Sequence, residues 1–228
     1  MVKTVFLDLD DTILDFRQAE ANAIAKTLRQ AGLDSGPAVC ARYHAINKRH
    51  WELLEEGKIT RAQVKTLRFE QLFRELGVEC DGGAICRAYE ENLAQGAFFV
   101  PGALELLEAL SPHYDLYIAS NGGAYVQNSR LNTAGIRKFF KGQFISEELG
   151  ANKPGQAFFE RCFAAIPGFS PETAVMVGDS LTSDIRGGRN VGIRTIWFNP
   201  EGRPGRADIR PDHEIRSLSQ LPGLLERL

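Results

Sequence analysis

Two short acidic clusters hold the residues best suited to chemistry. Asp8, Asp10, Asp11 and Thr12 lie near the start of the chain, and Asp179, Ser180 and Asp184 lie far downstream. Each cluster follows an apolar run that reads as a buried strand: Val2 to Leu7, interrupted by Lys3 and Thr4, and Ala174 to Val177. Carboxylates gathered at the ends of buried strands repel one another and lose hydration, so a fold keeps them when a cation compensates. Mg²⁺ suits this role, because it takes oxygen ligands and commonly binds one or two protein carboxylates together with phosphate and water. The pattern points to metal-dependent chemistry on a phosphate.

Two further polar groups follow strand-like runs. Ser120-Asn121-Gly122-Gly123 ends the run that begins at Asp115, and Lys153-Pro154 comes after the run Gln143 to Ser146. In an open parallel sheet, ligands bind beyond the carboxyl ends of the strands. A phosphate there would rest against Mg²⁺ held by Asp8 and Asp179. Ser120 and the backbone N–H groups of Asn121 to Gly123, at the start of a helix, would donate to its oxygens. Lys153 adds a compact positive charge that binds phosphate and offsets the carboxylates.

The elements that must position these residues follow from hydrophobic spacing. From about Tyr114 onward, strand-like runs (Asp115 to Ser120, Gln143 to Ser146, Ala174 to Val177, Arg194 to Asn199) alternate with helical spacing at Val126 to Ala134, Ala157 to Ala165 and Asp184 to Val191. This alternation predicts an α/β fold with a mostly parallel sheet covered on both faces, and Lys3 to Leu7 joins that sheet. Residues Phe16 to Gln95 break the rhythm and read as helices alone. Phe16, Ala19, Ala23, Ile24 and Leu28 form one apolar stripe stopped by Gly32. A second helix follows Pro37 and runs to about Glu56. Thr60 with Gln63 makes a capping box for a third helix ending near Gly77, and a fourth covers Ile85 to Leu93. The expected organisation is an α/β core of residues 1–15 and 100–228 with an inserted helical cap of residues 16–99, hinged near Asp15 and Val100-Pro101-Gly102.

The chain has 228 residues, enough to bury a core without staples. Its net charge of -2 offers no electrostatic footprint for a nucleic-acid polymer or an anionic membrane. Cys40, Cys80, Cys86 and Cys162 show no C-x-x-C spacing, and no apolar run reaches membrane-spanning length. A cytoplasmic enzyme is expected, monomer or homodimer, whose partner is a small-molecule phosphomonoester. Arg203, Arg206 and Arg210 lie in a Gly/Pro-rich stretch and read as solvated charge.

In order and type these residues resemble the haloacid dehalogenase superfamily of phosphohydrolases. The match is Asp-x-Asp-x-Thr at 8 to 12, Ser-Asn-Gly at 120 to 122, Lys-Pro at 153 and 154, and Gly-Asp-x4-Asp at 178 to 184. The resemblance implies a Rossmann-like parallel-sheet core with an inserted helical cap, and it assigns roles. Asp8 resembles the nucleophile that becomes an aspartyl phosphate. Asp10 resembles the general acid and then the base, with its backbone carbonyl a metal ligand. Asp179 resembles a direct Mg²⁺ ligand, Asp184 a group that holds a metal-bound water or Lys153, and Thr12 a residue that orients the loop and substrate.

Within the superfamily, Ala45-Ile46-Asn47-Lys48, Trp51, Gly57-x-Ile59-Thr60, Arg68-Phe69 and Ile145 to Gly150 resemble the noncanonical pyrimidine nucleotidases. That likeness implies hydrolysis of pyrimidine nucleoside 5′-monophosphates, with Asn47 and Arg68 as substrate-binding residues of the cap. The same chemistry on a sugar phosphate or phosphoglycolate is the first rival. Dehalogenation is disfavoured, because dehalogenases of this kind lack the second Asp of Asp-x-Asp. A phospho-signalling receiver has no inserted helical block, and a non-catalytic phosphometabolite binder would not need every catalytic position filled.

Overall fold

The first strand sets the architecture. In the computed structural model, which describes residues 1–228, all of β1 (Thr4–Leu7) is buried. Val5 and Leu7 point into one apolar cluster and Phe6 into another, as the two-residue period of a strand requires. A strand buried on both faces belongs inside a parallel sheet with helices on each side.

After β1 come the helices α1 (Phe16–Gln30), α2 (Pro37–Glu55), α3 (Arg61–Leu76), α4 (Gly82–Leu93) and α5 (Ala103–Leu110). The chain continues through β2 (Asp115–Ser120), α6 (Ala124–Thr133), β3 (Gly142–Ile145), α7 (Ser146–Leu149) and α8 (Gln156–Ala164). It ends with β4 (Ala174–Gly178), α9 (Arg186–Asn190), β5 (Arg194–Phe198), β6 (His213–Ile215) and α10 (Leu221–Leu225). The strands form one six-stranded sheet in the order β3-β2-β1-β4-β5-β6, every neighbouring pair parallel. Strand order reverses at β1, and the clefts that flank such a reversal are where open α/β sheets bind ligands.

Two compact units result: Met1–Asp15 with Phe98–Leu228, and Phe16–Ala97. Residues 98 and 99, expected in the cap, fall in the first unit because backbone bonding ties the exit to the entry there. Asp15 N donates to Phe98 O (2.9 Å), Val100 N donates to Ile13 O (3.0 Å), and Leu14 bridges Phe99. In the first unit, α5 and α10 cover one face of the sheet, where Leu106, Leu107, Leu110, Leu221 and Leu225 meet Val5, Leu7, Val175 and Val177. Phe158, Phe159 and Cys162 of α8 cover the other face, against Phe6, Phe144 and Met176.

The second unit is helical throughout. The Thr60–Gln63 capping box is formed, and Gly77 takes the left-handed conformation (φ 66°) that ends α3. Its core is aromatic, with Tyr43, Phe69 and Tyr89 mutually packed at ring-centroid separations of 5.3 to 5.6 Å.

Three details differ from the sequence reading. Strand β6 and helices α5 and α10 were not expected, the third strand lies one residue earlier because Ser146 opens α7, and the helix expected from Asp184 begins at Leu181 as a wide π-turn (Leu181–Ile185). No helix is long and apolar enough to cross a membrane.

Candidate active site

Asp8 follows the last residue of β1 and is 7% exposed. Beside it lies the ammonium of Lys153, itself 1% exposed. Lys153 Nζ donates to Asp8 Oδ1 (2.6 Å), Asp184 Oδ1 (2.6 Å) and the Ala119 carbonyl (2.5 Å). An ammonium has three protons, so this lysine is saturated. Burial alone would lower its proton affinity, but the two carboxylates outweigh burial and hold it above the ordinary lysine range, hence charged.

The Gly-Asp-x4-Asp motif has a plain steric basis. A Cβ on Gly178 would stand 2.1 Å from Asp184 Oδ2, so only glycine lets that carboxylate fold back onto the end of β4. The π-turn makes the return, with Asp184 N and Ile185 N both donating to Ser180 O. Single π-turns recur at functional sites because the wide turn re-aims side chains. Asp184 is then engaged on both oxygens, by Lys153 and by the Ser180 N–H (3.0 Å).

Asp179 completes the cluster. Carboxylate oxygens of Asp8, Asp179 and Asp184 all lie within 4.8 Å of one another. Burial pushes the Asp8 carboxyl well above its usual range, Lys153 pulls it down, and Asp184, Asp10 and Asp179 push it up again. Burial, Asp184 and Asp11 push Asp179 up to about 7 against the pull of Arg203. Three carboxylates face the Lys153 ammonium and, more distantly, the Arg203 guanidinium, a negative excess that a hard divalent cation with oxygen ligands would neutralise. The donor set fits Mg²⁺.

Around this cluster, Asn121 acts through its side chain on the backbone. Its amide nitrogen donates to Lys153 O (2.9 Å) and its oxygen accepts from Lys153 N (2.8 Å), a reciprocal pair joining the loops after β2 and β3. Ser120 is 1% exposed, and its hydroxyl oxygen accepts from Gly122 N (3.1 Å) and Gln127 Nε2 (2.8 Å). Thr12 is fully buried and its Oγ1 has no hydrogen-bond partner. Asp11 has φ 57°, a left-handed turn conformation that Asp tolerates through its short polar side chain.

Sequence reasoning missed three residues here. Arg203, read as solvated, donates to Asp179 O (2.8 Å) and approaches Asp179 Oδ2 (3.3 Å). Gln127 and Arg130 of α6 bind both oxygens of Asp10. The available signal for that pair is that they fall within the buried stripe Val126, Gln127, Arg130, Leu131, where polar residues need partners.

Asn47 and Arg68 lie in the helical unit. Both are buried, at 1% and 4% exposure, and bonded to each other (3.0 Å). Asn47 Nδ2 also donates to Glu20 Oε1 (2.6 Å), and the Arg68 guanidinium lies over the rings of Phe69 and Tyr89. Arg68 Nε has no hydrogen-bond partner.

Known proteins match this chain in sequence and in fold. The chain belongs to the haloacid dehalogenase-like hydrolases, whose family model matches residues 2–192. It is 40% identical to the HAD-hydrolase YfnB of Bacillus subtilis, covering 98% of this chain and 95% of that protein. A crystal structure of YfnB bound to magnesium, which reveals interdomain movement, superposes with a TM-score of 0.94 and covers 98% of each chain. The chain is also 39% identical to the pyrimidine 5′-nucleotidase PynA of Streptococcus pneumoniae, over 99% of this chain and 95% of that one. Identity to the pyrimidine 5′-nucleotidase YjjG of Escherichia coli is 32%, over 97% and 96% of the two chains.

The raised carboxyls carry a pH signature. A cation entering below neutral pH must displace protons from Asp179 and Asp8, whose affinity for protons the fold has increased. Calorimetric titration with Mg²⁺ should show affinity strengthening as pH rises from about 5 to about 7, by up to about tenfold per unit for each proton released. Affinity that is flat over that range would contradict the assignment.

Proposed function

We propose that the chain is a Mg²⁺-dependent phosphomonoester hydrolase that forms an aspartyl phosphate on Asp8, acting on pyrimidine nucleoside 5′-monophosphates. The observation that carries the reading is Asp8 itself: a buried carboxylate held at 2.6 Å by Lys153, beside two further carboxylates, with a second acid two residues on. The pyrimidine assignment is supported by the likeness to PynA and YjjG over nearly their full lengths. A cytoplasmic setting is proposed with it, in keeping with four free cysteines.

When held by Asp8, Asp179 and the Asp10 carbonyl, Mg²⁺ would neutralise the carboxylates so that a phosphate dianion can approach them. The chain's own residues supply the remaining work. One oxygen of Asp8 attacks phosphorus as the ester P–O bond breaks, and Asp10 gives its proton to the leaving alkoxide, releasing the nucleoside. The Ser120 hydroxyl proton and the backbone N–H of Asn121 at the end of β2 bind the phosphoryl oxygens, while Lys153, whose protons are already shared, contributes its positive charge beside them. Asp10 then takes a proton from water. The water oxygen bonds to phosphorus, the Asp8–phosphorus bond breaks, and inorganic phosphate leaves with Asp8 restored. Asp184 keeps Lys153 charged and in place, and Thr12 Oγ1 has hydrogen-bonding capacity left for the loop or substrate.

The test is a phosphatase screen with Mg²⁺ across nucleoside monophosphates, sugar phosphates and an aryl phosphate. Pyrimidine nucleoside 5′-monophosphates should give the highest kcat/KM. A sugar phosphate in first place would overturn the pyrimidine assignment and leave the phosphatase standing. Asp8→Asn should lower turnover by orders of magnitude, and retention of more than about a tenth of wild-type activity would remove Asp8 as nucleophile. Asp10→Asn should cost less on the aryl phosphate, whose leaving group hardly needs a proton; equal losses would argue against its acid role.

The residues around Asp8 meet groups common to every monophosphate, so selection of the base is assigned to the helical unit. There, Arg68 Nε and the remaining amide hydrogen of Asn47 offer buried donors that a pyrimidine carbonyl would satisfy. Asn47→Ala or Arg68→Ala should narrow the preference for pyrimidine over purine monophosphates. Activity on the aryl phosphate should stay within about tenfold, roughly 1.4 kcal/mol of barrier. Unchanged base preference in both variants would remove these residues from recognition.

A further inference from the structure

Arg130 is the largest fully buried side chain of the protein, and none of the four motifs accounts for it. Its Nη1 donates to Asp10 Oδ1 and to Gln127 Oε1 (3.0 Å). Gln127, 1% exposed, donates from Nε2 to Asp10 Oδ2 (2.6 Å) and to Ser120 Oγ (2.8 Å). The two residues lie three apart on α6, so one helix face presents both side chains to one carboxylate. Each oxygen of Asp10 is thereby assigned its own donor. A lone structural ion pair would fix a charge. Here the plane of the carboxylate is fixed as well, which is what proton transfer in a set direction requires.

The same helix face reaches the phosphate loop. Gln127 joins Asp10 to Ser120, and the fit is tight, since a Cβ on Gly122 would stand 2.3 Å from Gln127 Nε2. The glycine of Ser-Asn-Gly therefore makes room for Gln127. A guanidinium buried this completely is costly to hold without its anion, so Arg130 also keeps the Asp10 side chain from swinging freely.

We propose that Arg130 and Gln127 are positioning residues of the reaction: they set where the Asp10 carboxylate stands. This rests on the phosphatase reading given above. Both act through Asp10, so removing either should matter only while Asp10 can transfer a proton.

The experiment uses the full chain with Mg²⁺ and radiolabelled nucleoside monophosphate, sensitive enough to follow slow turnover. Arg130→Lys, which keeps the charge but loses the fork, and Gln127→Met, which keeps the volume, are each made alone and combined with Asp10→Asn. Alone, each should lower kcat by about 10- to 100-fold with KM within about threefold, and the loss should be smaller on p-nitrophenyl phosphate. Combined with Asp10→Asn, each should change kcat by less than about twofold, because the group they position is already inert. A loss of equal factor in both backgrounds, or equal losses on both substrates, would show a structural role and overturn the proposal. If Arg130→Lys does not fold, Gln127→Met decides alone. A wild-type protein without phosphatase activity removes the functional reading and this inference together, whereas an active wild type with additive losses removes this inference only.

Discussion

The site depends on one buried ammonium shared between two carboxylates. Lys153 holds Asp8 and Asp184 at 2.6 Å each and reaches the Ala119 carbonyl at 2.5 Å, so its three protons tie together the ends of β1, β2 and β4. Without that charge, Asp8 and Asp184 would face each other buried and unpaired, a cost several times larger than any surface ion pair. With it, the lysine is saturated and Asp179 is left with only the longer Arg203 contact (3.3 Å), its carboxyl raised to about 7. That negative excess is what a divalent cation would neutralise in this place, and the neutralisation is what would let a phosphate approach the carboxylates.

Much of the surrounding structure serves this arrangement. Gly178 gives up its side chain so that Asp184 can fold back, and the π-turn after β4 carries it there. Asn121 clamps the backbone of Lys153 from the end of β2, fixing the origin of the side chain that does the bridging. Helix α6 works on the other acid, gripping Asp10 with Gln127 and Arg130 while its first turn is met by Glu147, which accepts from Ala124 N (2.7 Å). Asp8 and Asp10, the proposed nucleophile and proton-transfer group, are two residues apart in sequence, yet the fold gives them separate cationic partners. That separation keeps the two carboxylates from competing for one charge.

The legible part of the molecule was the part whose signal is local. Runs such as Ala174 to Val177 are apolar on both faces and bounded by turn residues, as central strands are, so the sequence alone places the residues that follow them at one edge of the sheet. The Thr60–Gln63 box and Gly77 marked the ends of α3 by chemistry that operates within a few residues. What was missed depends on tertiary structure. β6 is three residues, His213–Ile215, with no apolar run, and it exists by pairing with β5. Arg203 sits among Gly and Pro with nothing nearby to mark it, and only the fold brings it to Asp179. Gln127 and Arg130 fall in a helix, Val126 to Ala134, whose sequence assigns them no role. Their position in the stripe of Val126 and Leu131 was the available clue, and its meaning needed the knowledge that Asp10 lies opposite. Asn47 and Arg68 were picked for their hydrogen-bonding groups, and the fold places them inside the helical unit, where most of those groups already have partners.

The central claim is that Asp8 becomes phosphorylated on its side chain during turnover. An acyl phosphate can be reduced by borohydride where a free carboxylate cannot, so the enzyme should be quenched with borohydride while hydrolysing its best monophosphate, then digested and analysed by mass spectrometry. The account expects homoserine in place of Asp8, dependent on substrate and Mg²⁺, with Asp10, Asp179 and Asp184 unmodified. Steady turnover with no reduced residue, or reduction at any other carboxylate, would contradict it.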